Sequence, residues 1–170
     1  GIFGMGRIGQ ALAKRARGFD MDVLYTKRTR DEQAELMIPA TWVPFDEMTE
    51  RADIIVVTAP LTEETRYSFT RETFRRMKSD AIFVNIGRGP IVKEADLVAA
   101  LEAEDIFGAG IDVYEHEPEI TPRLLELDNA VVLPHIGSAS HYARREMARL
   151  ACSGVRSVLM EGETPPNTVV

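Results

Sequence analysis

Gly1-Ile2-Phe3-Gly4-Met5-Gly6-Arg7-Ile8-Gly9 opens the chain, and its reading decides the fold. Gly1–Phe3 reads as the end of a strand. Arg7–Arg17, with Ile8, Leu12 and Ala16 on one face, reads as an amphipathic helix. Between them stands a G-x-G-x-x-G. In that setting Gly4 allows a tight turn, Gly6 lets the backbone approach a pyrophosphate, and Gly9 lets the helix pack closely on the strand. N–H groups at the helix start then face the phosphates. A glycine-rich turn with no ligand is the bland alternative; the second strand that follows at βαβ spacing speaks against it.

Working outward, short apolar runs alternate with amphipathic stretches. Runs at Gly1–Phe3, Met21–Tyr25, Thr41–Val43, Asp53–Ala59, Ala81–Ile86, Ala109–Val113 and Ala130–Leu133 predict strands. Ile54-Ile55-Val56-Val57 and Val131-Val132-Leu133 are continuous rather than alternating, as expected of strands covered on both faces. Helices are predicted at Arg7–Arg17, Lys93–Glu104 and Tyr142–Met160, the last with a stripe of Met147, Leu150, Ala151, Val155, Val158 and Leu159. Shorter ones are predicted at Thr49–Ala52, Thr62–Tyr67 and Arg71–Lys78, and Glu161–Val170 as an extended tail. The expected class is α/β, a Rossmann-type doubly wound parallel sheet of about seven strands with helices on both faces.

The 170 residues suit one domain, expected over residues 1–170. With 45% hydrophobic and 28% charged residues, the chain is neither disordered nor collagen-like. A net charge of −7 argues against nucleic acid or an anionic membrane as partner. The single cysteine, Cys152, fits a reducing, cytoplasmic compartment, and no apolar run reaches the ~20 residues of a membrane span. The chain opens at Gly1 rather than Met, and Gly1–Phe3 is short for a strand of about 5–6 residues. The expectation is a piece of a longer protein.

The second strand ends in Tyr25-Thr26-Lys27-Arg28-Thr29-Arg30. Sites for NAD carry Asp or Glu about 20 residues after the glycines, to bind the ribose 2′-hydroxyl. Here Lys27 stands at that place, with Arg28 and Arg30 behind. Cations attract a 2′-phosphate where a carboxylate repels it, so the expected cofactor is NADP(H) by preference, with NAD(H) possible. A solvated basic loop is the alternative. Later strands run into Asn85-Ile86-Gly87-Arg88-Gly89-Pro90, into Asp112-Val113-Tyr114-Glu115-His116-Glu117-Pro118, and into Pro134-His135-Ile136-Gly137-Ser138. Ligands of open parallel sheets bind outside the carboxyl ends of the strands. Arg88, Asp112, Glu117 and His135 are therefore expected on one cleft. An Arg clamps a carboxylate, and a His oriented by a carboxylate exchanges a proton near neutral pH. That set suits hydride transfer to the carbonyl of a 2-oxo acid. Glu115, His116 and Glu117 alternate faces on an extended chain, and no second ligand cluster appears, so no metal is expected.

These residues resemble the nucleotide-binding domain of the D-isomer-specific 2-hydroxyacid dehydrogenases, a family that includes glyoxylate/hydroxypyruvate reductases. The matching segments are Gly4–Gly9, Pro60–Thr65, Asn85–Leu101, Gly108–Pro118 and Leu133–Ser140, in the family's order and spacing. The resemblance implies catalytic roles for Arg88 on the substrate carboxylate, His135 as acid/base and Glu117 as its partner. It implies cofactor contacts at Gly4, Gly6, Arg7, Ile8, Gly9, Lys27, Arg28, Arg30, Pro60, Thr65, Ile86, Gly87, Arg88, Asp112, His135 and Gly137. Lys27 departs from the Asp of NAD-using members and is similar to the NADPH-using reductases. A homodimer is implied for the full-length protein, with a small 2-oxo or 2-hydroxy acid as substrate. The family's separate substrate-binding domain, built mostly from residues before the cofactor domain, is expected to be absent from this chain, which would then bind cofactor but turn over little. Corepressors built on the same domain, which use the nucleotide to control assembly, and a bare cofactor-binding module remain alternatives.

Overall fold

Every apolar run predicted as a strand is one. Among the described residues, seven parallel strands form one sheet: β1 Ile2–Phe3, β2 Leu24–Thr26, β3 Thr41–Trp42, β4 Ile54–Val57, β5 Ile82–Asn85, β6 Gly108–Ile111 and β7 Ala130–Val132. Their order is β3-β2-β1-β4-β5-β6-β7. It reverses direction between β1 and β4, the switch point at which such sheets bind ligands. The structure, a computed structural model, describes residues 1–165 and 168. It divides into two compact units, Gly1–Pro134 and His135–Val170, and the sheet lies in the first.

The helices of that unit are α1 Arg7–Ala16, α2 Glu32–Met37, α3 Phe45–Arg51, α4 Arg71–Arg76 and α5 Glu94–Glu102. One face of the sheet buries Ile55, Val57 and Phe83 against Met48 of α3, Phe74 of α4 and Leu97 and Leu101 of α5. The other buries Ile2 and Tyr25 against Ala13 of α1 and Ala34 of α2. Each large apolar side chain so buried stabilises the fold by roughly 1.5–3 kcal/mol. A knot of Phe3, Phe45, Phe69, Phe74 and Phe83, with Phe69 and Phe83 ring centroids 4.8 Å apart, fills the first face.

Several expectations need correction. Thr62–Tyr67 is a turn, not a helix: the N–H groups of Thr65 and Arg66 both bond Thr62 O, and Tyr67 at φ +51° ends it. Thr49–Ala52 is only the end of α3, which starts at Phe45. Helix α2 went unpredicted; its Asp31 cap accepts a hydrogen bond from Ala34 N–H. Helix α1 buries Gly9 and Ala13, while Ile8 is 60% exposed. The second unit holds α6, His141–Arg156, capped by Ser140 and prolonged by a π turn at Ser157–Glu161. Its predicted stripe is not buried: Met147, Leu150, Val155, Val158 and Leu159 are all exposed. Of the expected tail, Pro166, Asn167, Val169 and Val170 lie outside the described residues.

Candidate nucleotide and active site

Gly4 turns the chain out of β1 at φ +103°, and a Cβ there would lie 2.7 Å from the Ala59 backbone. A Cβ on Gly9 would stand 2.2 Å from Gly4 O. Both glycines are thus demanded by the protein's own packing. Gly6 is different: a Cβ there meets nothing within 4 Å. It is the N-cap of α1, offers no side-chain cap, and no acidic residue occupies the first turn. The helix presents unsatisfied N–H groups and its positive end beside an open backbone, which suits a phosphate. These residues fit a dinucleotide.

The neighbouring strand ends are braced to this turn. Thr58, at the end of β4, donates its hydroxyl to Gly4 O, and its N–H bonds Phe3 O. Gly87 packs on Ala59, where a Cβ would come 3.1 Å from the carbonyl. Asn85 holds the next turn, accepting from Gly87 N–H at 3.1 Å and donating to Arg88 O at 3.2 Å. Exposed Arg88 projects from that turn, one N–H 2.7 Å from Gly87 O. Buried Asp112 follows β6, its N–H bonded to Asn85 O. The structure therefore brings Gly4–Gly9, Ala59-Pro60, Ile86–Arg88 and Asp112 into one row of carboxyl-end loops. Thr58 and Asn85 were missed; a polar residue closing a strand just before a glycine or proline turn was the available signal.

Thr65 spends its hydroxyl inside its own turn, accepting from Thr62 N–H and donating to Pro60 O, both 2.8 Å. The Thr62 hydroxyl, followed more weakly by the charge of Arg28, holds the Glu64 carboxyl below its usual range.

The basic cluster after β2 is partly neutralised from within. Lys27 Nζ lies 2.9 Å from Asp31, and Arg30 makes a two-pronged contact with Glu35 at 2.7–3.2 Å. The buried Tyr25 hydroxyl donates to Glu35 and accepts from Asp31 N–H. Arg30, then Tyr25, hold the Glu35 carboxyl below its ordinary value. Arg28 has no hydrogen bond or ion pair among the described residues.

Glu117, exposed on the loop after β6, accepts Tyr114 N–H at 3.0 Å. The Tyr114 hydroxyl reaches the carbonyls of Ile111 and Leu133, and burial raises its pKa. His135 and Gly137 belong to the second unit, on an exposed loop before α6. His135 sits at φ +53°, in the left-handed region that few non-glycine residues occupy. Among the described residues no group of three or more His, Cys, Asp or Glu is placed to hold a metal, and no helix is long and apolar enough to cross a membrane. An apolar cavity of about 660 Å³ lined by Leu12, Phe19, Met21 and Val23 opens at the amino ends of the strands, away from these loops.

Residues 1–137 match the family model described as D-isomer specific 2-hydroxyacid dehydrogenase, NAD binding domain. The chain belongs to this family. It is 46% identical over 169 residues to the glyoxylate reductase of Pyrococcus furiosus, covering 99% of this chain and 50% of that one. It is 48% identical to glyoxylate/hydroxypyruvate reductase B of Klebsiella pneumoniae, covering 99% and 53%. The NADPH-dependent glyoxylate/hydroxypyruvate reductase of Sinorhizobium meliloti, solved with NADP and malonate, superposes with TM-score 0.89 at 35% identity, over 96% of this chain and 50% of that. The chain spans about half the length of the curated relatives it matches.

Proposed function

We propose that the protein is an NADPH-preferring reductase of small 2-oxo acids of the glyoxylate or hydroxypyruvate class. The observation that carries this is the open backbone at Gly6, flanked by glycines that packing requires, at the switch point of a sheet whose next strands end in Arg88 and Asp112. When bound, a reduced nicotinamide supplies the hydride that reduces the carbonyl carbon. Gly6, Arg7, Ile8 and the free end of α1 bind the pyrophosphate through backbone N–H groups. Arg28, with Lys27 and Arg30 behind it, receives the 2′-phosphate. Pro60, Thr65, Ile86 and Gly87 line the cofactor and Asp112 flanks the nicotinamide; the family resemblance implies further cofactor contacts for His135 and Gly137.

Arg88 clamps the substrate carboxylate and draws charge from its carbonyl. His135 gives its proton to the carbonyl oxygen, leaving the 2-hydroxy acid. The family resemblance gives Glu117 as the carboxylate of this acid/base couple, and a carboxylate there favours a protonated imidazole. The family names of the relatives support this reading, and a homodimer in the cytoplasm belongs to it. His135→Ala in the full-length protein tests it: turnover of glyoxylate falls by about 10²–10⁴-fold, the range for a lost general acid, while NADPH affinity by calorimetry holds. Undiminished turnover refutes the role.

A further inference from the structure

We propose that Glu94 and Glu115 form a reciprocal carboxylate clamp that positions Glu117 for the acid/base step, which makes both of them positioning residues. The inference rests on the functional reading above, in which Glu117 belongs to the acid/base couple.

Glu94 is the first residue of α5, yet its side chain turns away from the helix and is buried at 7% exposure. One carboxylate oxygen accepts Glu115 N–H at 2.9 Å and the other accepts Thr121 N–H at 3.2 Å. Glu115 returns the contact. One of its oxygens accepts Glu94 N–H at 3.0 Å, and the other accepts the Tyr67 hydroxyl at 2.6 Å. All four oxygens are thus engaged, and His116 Nε2 stands 4.0 Å from the second. The two N–H groups held by Glu94 bracket Glu117. Inside the bracket Glu119 N–H bonds His116 O, and Glu117 reaches back to accept Tyr114 N–H just before it.

Helix capping accounts for only part of this. Lys93 gives α5 no side-chain cap, and Glu115 takes that place at the positive end of the helix. Capping does not explain Glu94, whose two bonds leave the helix for the loop. Burying a carboxylate is costly unless its acceptors are all used, and here they fix both ends of one short segment. The same loop abuts the Arg88 turn: a Cβ on Gly89 would lie 1.8 Å from Tyr114 O. Tyr67 ties in the turn after β4. Three loops therefore meet at Glu115, and the clamp sets where the Glu117 carboxylate stands relative to Arg88.

The test, in the full-length protein, is glyoxylate reduction with NADPH as a function of pH, beside amide hydrogen exchange and NADPH calorimetry. In Glu94→Gln, an NH₂ group replaces one acceptor and faces an N–H. We expect kcat to fall by about tenfold to a hundredfold, as for a misplaced catalytic group. Its pH limb should move toward that of Glu117→Gln, exchange at Glu115 and Thr121 should quicken, and the NADPH Kd should hold. Quickened exchange with wild-type kcat and pH limb overturns the positioning role; unchanged exchange overturns the clamp. If Glu94→Gln does not fold, Tyr67→Phe decides, removing one hydroxyl at a partly exposed site: a kcat loss with unmoved Kd supports the clamp, and wild-type kinetics refute it. A wild-type pH profile in Glu117→Gln refutes the functional reading instead, so the two failures are distinguishable.

Discussion

Arg28, just past β2, makes no hydrogen bond or ion pair among the described residues, whereas Lys27 and Arg30 already hold Asp31 and Glu35. A 2′-phosphate must compete for the latter two and finds the first open. Arg28→Ala should therefore raise the NADPH Kd by about tenfold to a hundredfold, the equivalent of a charged hydrogen bond, and leave NADH nearly unchanged. Lys27→Ala should cost less; calorimetry with both nucleotides measures the order. Glu35 gives a pH prediction. Its carboxyl is held below the ordinary 4.5, first by the hydrogen bond from Arg30 and then by Tyr25. A depressed carboxyl contributes stability above its unfolded pKa and loses it as pH falls through the folded one. The α2 contacts should therefore persist down to pH 4.5 and weaken below it. An NMR titration of Glu35 should show a midpoint under 4.5 that Arg30→Ala moves up. A midpoint unmoved by Arg30→Ala would mean that the ion pair does not hold in solution.

At the scale of elements, β5 is the spine of the first unit. Phe83 is fully buried and contacts Phe69 and Phe74 with ring centroids 4.8 and 5.2 Å away. Phe83→Ala should destabilise the protein by about 3–5 kcal/mol through lost burial and a cavity, measured by denaturant unfolding. Legibility also varied by element. The strands were readable because continuous apolar runs survive any tertiary arrangement that covers both faces. Helix α2 was not, because it buries only Ala34 and leaves Leu36 and Met37 above 80% exposure, so no periodic apolar face marks it. Thr62–Tyr67 has helix-compatible residues, but the Thr65 hydroxyl and the positive φ at Tyr67 close it as a turn.

For the molecule as a whole, α6 departs furthest from expectation. Its apolar spacing is that of a core helix, yet none of its residues is buried. Val155→Gln and Leu159→Gln should each change stability by no more than about 0.5 kcal/mol, the usual range for exposed sites. A loss of several kcal/mol on a thermal melt would show that the stripe is covered in solution. The net charge of −7 sits beside a local basic segment, so NADPH affinity should weaken as salt rises, because screening acts on exposed charge pairs.

The glycine spacing, the apolar runs and the polar residues that end them are one-dimensional patterns, and they sufficed for the α/β class, the strand set and the row of loops at the carboxyl ends. Their physical basis is local: backbone sterics at Gly4, and burial on both faces of a parallel strand. Contacts between distant residues decided the rest. That Arg30 and not Arg28 is hydrogen-bonded to a carboxylate among the described residues, that Thr65 is spent within its turn, and that Glu94 grips Glu115 from 21 residues away all depend on hydrogen bonds that weaken steeply beyond about 3.5 Å. Sequence spacing carries no such distance, so only the folded chain could assign these partners.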